Sequence, residues 1–181
     1  MLTITVPAGE LFDESTNTFI QTKEQTLQLE HSLVSLSKWE SKYCKAFLSK
    51  KEKTAEETLD YIKFMTLTQN VKPETYLMLS QENIDAINEY IAAPMTAVYF
   101  PADNEQGKIN NETVMAELIY YWMIALKIPV EFQKWHLNRL IALIKVCNIK
   151  NQPPKKGGSK AMVEQRRALN EARRKQYNTK G

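Results

Sequence analysis

Apolar and polar residues alternate in short N-terminal runs, and beyond His31 the period lengthens to that of a helix. Leu2 to Val6 is rich in β-branched residues and stops at Pro7, which predicts a strand. Leu11-Phe12 and Phe19-Ile20 flank the polar cluster of residues 13–17, the pattern of a hairpin. Over residues 25–31, Leu27, Leu29 and His31 share one face and Thr26, Gln28 and Glu30 the other, a third strand.

Helical spacing starts at Leu33 and continues through Leu36, Trp39, Tyr43 and Phe47, with Ser32 as cap. Residues 54–57, Thr-Ala-Glu-Glu, form a capping-box pattern that opens a helix with Ala55, Leu59, Ile62 and Met65 inward. Ser80 caps a helix burying Ile84, Ile87 and Ile91. Residues 94–110 read as loop, with a short strand at 97–100. A helix from residue 111 to about 126 is apolar nearly all round, so it is expected at the centre. Pro129 suits the first turn of the next helix. That helix should bury Phe132, His136, Leu140, Leu143 and Cys147 and form an antiparallel hairpin with its predecessor.

The expected fold is therefore mainly α, of the α+β class. A small N-terminal β-element, 1–31, packs on a helical body, 32–149, and 150–181 form a linker and a basic helical arm. At 181 residues the chain can bury a core without staples. Its two cysteines, Cys44 and Cys147, exclude a disulfide-rich scaffold and sit among apolar neighbours, as buried thiols in a reducing compartment would. Of five glycines, only Gly107 lies between residues 10 and 149, too few for phosphate-cradling loops or a dinucleotide fold. The most apolar run, 114–130, is interrupted by Glu117 and Lys127 and is too short to cross a membrane. No basic leader precedes an apolar stretch, so the chain is expected to stay in the cytoplasm of the cell that makes it.

Charge changes the picture more than hydropathy does. The net charge of +3 divides into +8 over residues 150–181, where ten basic residues face only Glu164 and Glu171, and −5 over the first 149. Residues 151–158, Asn-Gln-Pro-Pro-Lys-Lys-Gly-Gly, read as the hinge between the two. Beyond it Ser159 caps a helix over 160 to about 176. There Arg166 and Arg173 stack beside Met162 and Leu169, and Arg167 and Arg174 stack on another side. The apolar stripe is too thin to support the helix alone. Three readings of the arm stand: a solvated or disordered tail, a helix docked on an acidic protein surface, or a nucleic-acid contact. The candidate partner-binding residues are Lys155, Lys156, Lys160, Arg166, Arg167, Arg173 and Arg174.

Candidate chemistry is sparse. His31 and His136 are the only histidines, without close metal-ligand spacing to each other or to the cysteines. His136 and Cys147 lie roughly 16 Å apart along one helix and cannot share an ion. Cys44 has no activating motif beside it, and hydrolase elbows, Walker loops and Asp-rich metal motifs are missing. Glu56, Glu57 and Asp60 read as first-turn acids, and Tyr120, Tyr121, Trp122 and Trp135 as buried core. The expectation is a non-enzyme with no catalytic residue, cofactor or metal.

Five stretches, 29–41 (Leu-Glu-His-Ser-Leu-Val-Ser-Leu-Ser-Lys-Trp-Glu-Ser), 120–123 (Tyr-Tyr-Trp-Met), 133–140 (Gln-Lys-Trp-His-Leu-Asn-Arg-Leu), 147–156 (Cys-Asn-Ile-Lys-Asn-Gln-Pro-Pro-Lys-Lys) and the ending 178–181 (Asn-Thr-Lys-Gly), carry a resemblance. Through them the whole chain resembles a family of tailed-bacteriophage proteins encoded among virion and tail genes. Its members are assigned as tail assembly chaperones or as phage structural proteins. The resemblance implies a helical, non-enzymatic protein binding tape-measure and tail-tube proteins during virion morphogenesis, and carries over no functional residue. The alternatives are a structural component of the neck or tail, or a nucleic-acid-binding module acting through the arm. Expected partners are phage tail proteins or copies of the chain itself as a homo-oligomer, with nucleic acid reached through the arm and no membrane.

Overall fold

A computed structural model describes residues 1–13, 17–98, 114–151 and 160–177; at residues 13, 160–163, 165, 175 and 176 the description stops at the backbone. Among them the order is β1 (Leu2–Val6), β2 (Gly9–Asp13), β3 (Thr18–Thr22), β4 (Gln25–Leu29), α1 (Leu33–Tyr43), α2 (Ala55–Met65), α3 (Pro73–Leu77) and α4 (Gln81–Ala92). Then come α5 (Ala116–Ala125), a 3₁₀ turn (Val130–Lys134), α6 (Leu137–Asn151) and α7 (Lys160–Tyr177). The fold is α+β, a small antiparallel β part followed by helices. Two compact units divide it, Met1–Cys147 and Asn148–Gly181, the division falling inside α6.

In the first unit two antiparallel ribbons are nested, β1 against β4 and β2 against β3. Pro7, which has no amide to give, separates them on one strand and Lys23-Glu24 on the other. Alternation sends Ile4, Val6, Leu27 and Leu29 inward and leaves Thr3, Thr5 and Gln28 exposed. The far edge of β4 is covered by the chain leaving α2: Glu30 N donates to Met65 O at 2.9 Å and Leu67 N to Gln28 O at 2.8 Å.

Three helix starts follow local chemistry. Ser32, Thr54 and Ser80 each accept the amide three residues on, and Ser35, Glu57 and Asn83 reach back to the cap. The core is centred on α1, where Leu33, Leu36 and Trp39 are buried. α2, α5 and the 3₁₀ turn pack against it, whereas the expected α5–α6 hairpin is not the centre.

Several expectations need correction. α1 stops at Tyr43, because Cys44 turns left-handed (φ 50°), and Phe47 enters the core from the loop. The buried face of α2 includes Glu57, Asp60, Tyr61, Ile62 and Met65, while Ala55 is exposed. One continuous helix from Pro129 does not form. The 3₁₀ turn ends at Lys134, Trp135 is extended, and α6 restarts behind His136. α5 is covered on one side only. Ala116, Ile119 and Met123 are buried, but Tyr121 is 62% exposed and Ile124 78%. Tyr120, Trp122 and Trp135 are half-buried. Cys44 is exposed and Cys147 half-buried, so neither is an enclosed thiol. Residues 94–98 have no regular structure, and the remainder of the 97–100 strand and of the 94–110 loop lies outside the described residues.

Candidate docking surfaces

In the second unit α7 presents the candidate residues that can be placed. Arg166, Arg167, Arg173 and Arg174 are all exposed, and Lys160 is the first residue of the helix. Lys155 and Lys156 lie outside the described residues. At about 100° per residue, Arg166 and Arg173 form one row and Arg167 and Arg174 a second, about 100° away. Asn170 and Tyr177, both exposed, fall between the rows. Among the described residues, no carboxylate is ion-paired with any of these arginines. Leu169 is exposed as well, consistent with the thin apolar stripe in the sequence.

In the first unit His31, Glu40, Glu57, Asp60 and His136 are buried and hydrogen-bonded. His31 and His136 stack edge to face with ring centroids 5.1 Å apart. His31 Nδ1 lies 2.6 Å from the Tyr61 hydroxyl. His136 caps α6: Asn138 N donates to its Nδ1 at 3.3 Å, so Nε2 carries the proton and donates to Tyr90 O at 2.9 Å. Burial first, and His136 second, hold the His31 pKa down at about 4; burial lowers that of His136 too. Both rings are therefore neutral packing groups at pH 7.

Glu40 on α1 is buried and accepts Phe47 N at 2.8 Å and Ala116 N at 2.7 Å. Asp60 receives Lys42, Tyr43 Oη at 2.7 Å and Lys63 Nζ at 2.9 Å, and these donors, Lys42 foremost, hold its carboxyl well below the usual range. Glu57 takes Lys45 and the Thr54 amide, which lower its pKa. The sequence reading of Glu57 and Asp60 as helix-dipole acids misses their lysine partners from α1 and the loop after it. For Glu40 the available signal was a carboxylate inside the apolar face marked by Leu36, Trp39 and Tyr43.

Two surface clefts lie in the first unit, and neither is lined by a histidine. One, about 350 Å³ beside the end of α1, is walled by Cys44, Lys45, Ser49, Lys51, Glu52 and Glu57. The other, about 590 Å³ between residues 20–25 and 70–75, contains neither His nor Cys. Among the described residues, no group of three or more His, Cys, Asp or Glu could hold a metal ion, and no helix is long and apolar enough to cross a membrane.

Surface apolar groups missed by the sequence reading lie elsewhere. Phe12 and Phe19 face each other across β2 and β3, with centroids 5.1 Å apart and both rings exposed. Opposite the core, α4 carries Glu82, Asp85 and Glu89, all exposed. No protein-family model matches this chain, and no curated protein or solved structure matches it.

Proposed function

We propose that this protein is a non-enzymatic binding protein of tailed-bacteriophage morphogenesis, acting as a tail assembly chaperone for tape-measure or tail-tube proteins. The observation that carries the reading is the exposure of Arg166, Arg167, Arg173 and Arg174 on a helix in its own compact unit, in a chain whose first unit has the opposite net charge. Four unpaired guanidinium groups in two rows suit a run of carboxylates on a partner, since each can fork onto one. The exposed Phe12–Phe19 pair and the outer side of α5 add apolar surface of the kind a partner covers. Resemblance to phage tail proteins supplies the biological setting.

Co-expression with the tape-measure and tail-tube proteins tests this reading. The expected result is a soluble complex with one of them, with the protein absent by mass spectrometry from purified particles. Stoichiometric recovery from particles would instead assign it to the neck or tail as a structural component.

The same arginine rows favour a second reading, contact with nucleic acid through α7. That reading requires retention on a DNA or RNA column at low salt and release as salt rises.

A further inference from the structure

We propose that the acidic stripe of α4 is a docking site for a second copy of this chain, which engages it through the arginine rows of its α7. Among the described residues, α4 is the helix with three acids and no basic residue. Glu82, Asp85 and Glu89 fall within an arc of about 60° on the helical wheel. All three are exposed, on the side opposite the buried Ile87. Asp85 is steadied by Gln81 Nε2 at 2.8 Å, and no described cation is ion-paired with any of the three.

The two surfaces match in spacing as well as sign. Glu82 and Glu89 are seven residues apart on α4, as are Arg166 and Arg173, and Arg167 and Arg174, on α7. Seven helical residues rise about 10.5 Å, so two carboxylates and two guanidinium groups in a row meet in register in either helix direction. The two arginine rows, about 100° apart, are wider than the acidic arc. The α4 ridge can therefore sit between them, with Asp85 reaching both. Every copy carries both surfaces, so the contact is heterologous and extends from copy to copy unless it closes into a ring. Exposed ion pairs are individually weak, so the association is weak and strongly screened by salt.

Self-association and capture of a tail protein draw on the same arginines, but only the former uses α4. Sedimentation velocity on the full chain should show concentration-dependent association at low salt that weakens by about tenfold or more at high salt. A variant carrying E82K, D85K and E89K, and another carrying R166E and R173E, should each remain monomeric, with the circular dichroism of the native chain. Mixed together they should associate again, because the native α7 rows of the first variant meet the native α4 stripe of the second. The milder E82Q/D85N/E89Q variant should weaken association without reversing it. A native chain that is monomeric at low salt, a compact monomer formed by docking within one chain, or a failure of the mixture to associate would overturn the proposal. The α4 variants should capture a tail protein undiminished, so this test fails or succeeds separately from the chaperone reading.

Discussion

Glu40 Oε2 accepts the amide of Ala116 at 2.7 Å, tying the last turns of α1 to the start of α5 across 76 positions of sequence. Its second oxygen holds Phe47 N, so one buried carboxylate fixes both the loop after α1 and the entry to α5. The negative charge also lies where the α5 helix dipole is positive. Glu40→Gln presents an amino group to one of the two donors and leaves that N–H without an acceptor. We expect it to lose about 2 kcal/mol in urea unfolding. A change below about 0.5 kcal/mol, the scale of an ordinary surface substitution, would contradict the assignment.

The His31–His136 pair sets a pH dependence. The folded state holds the His31 pKa at about 4, whereas in the unfolded chain the ring titrates at the ordinary histidine value of about 6.5. The unfolded state therefore binds the proton first. The contribution of neutral His31 is fully present above about pH 6.5 and is lost as pH falls from there towards 4. At 1.36 kcal/mol per pH unit this amounts to about 3 kcal/mol. Glu30, the Met1 amino group, Tyr61 and Tyr90 also face this cluster. Urea midpoints for the native chain should fall steadily between pH 7 and pH 4, and the fall should be shallower in His31→Gln. Parallel profiles for the two proteins would show that His31 does not carry the effect.

Two residues on α5 separate a central helix from a one-sided one. Ile119 is fully buried, and Ile124 is exposed on the outer side. Ile119→Ala should cost about 2–5 kcal/mol, and Ile124→Ser less than about 0.5 kcal/mol. Thermal denaturation of both variants distinguishes the cases. Equal losses would mean that α5 is enclosed on both sides.

Cys44 ends α1 in the left-handed region at φ 50°, where a side chain is disfavoured and glycine is not. Its thiol is exposed, so removing it empties no core. Cys44→Gly should raise stability by about 0.5–1 kcal/mol. In the native chain the thiol should react fully with a bulky disulfide reagent without unfolding. A protected thiol, or a destabilised glycine variant, would contradict this placement.

What local chemistry decides was legible in the sequence. The hydroxyl caps at Ser32, Thr54 and Ser80 satisfy amides within three residues, and the alternation in β1 and β4 needs only a sheet with one wet face. Features set by distant partners were not legible. α6 begins at His136 because that ring caps the helix and is held by the Tyr90 carbonyl, 46 residues earlier. α2 turns Glu57 and Asp60 inward because Lys45 and Lys42 meet them, and an apolar pattern cannot register such pairs. α5 looked central because hydropathy counts residues and not what packs against them. The arginines of the arm were legible because charge needs no fold to be counted. The acidic stripe on α4 had a signal, spacings of three and four opposite Ile87, that emerges only when the polar face is read as closely as the apolar one.

Under the proposed function the molecule works by charge-directed recognition through α7. A binding titration of the full chain against purified tape-measure and tail-tube proteins tests it most directly, with R166E/R167E/R173E/R174E as the comparison. Binding of one of these proteins is expected to weaken as salt rises and to fall by about a hundredfold or more in the variant, at about 1.4 kcal/mol per tenfold across several pairs. Binding of equal strength by the native and charge-reversed chains, unaffected by salt, would contradict it.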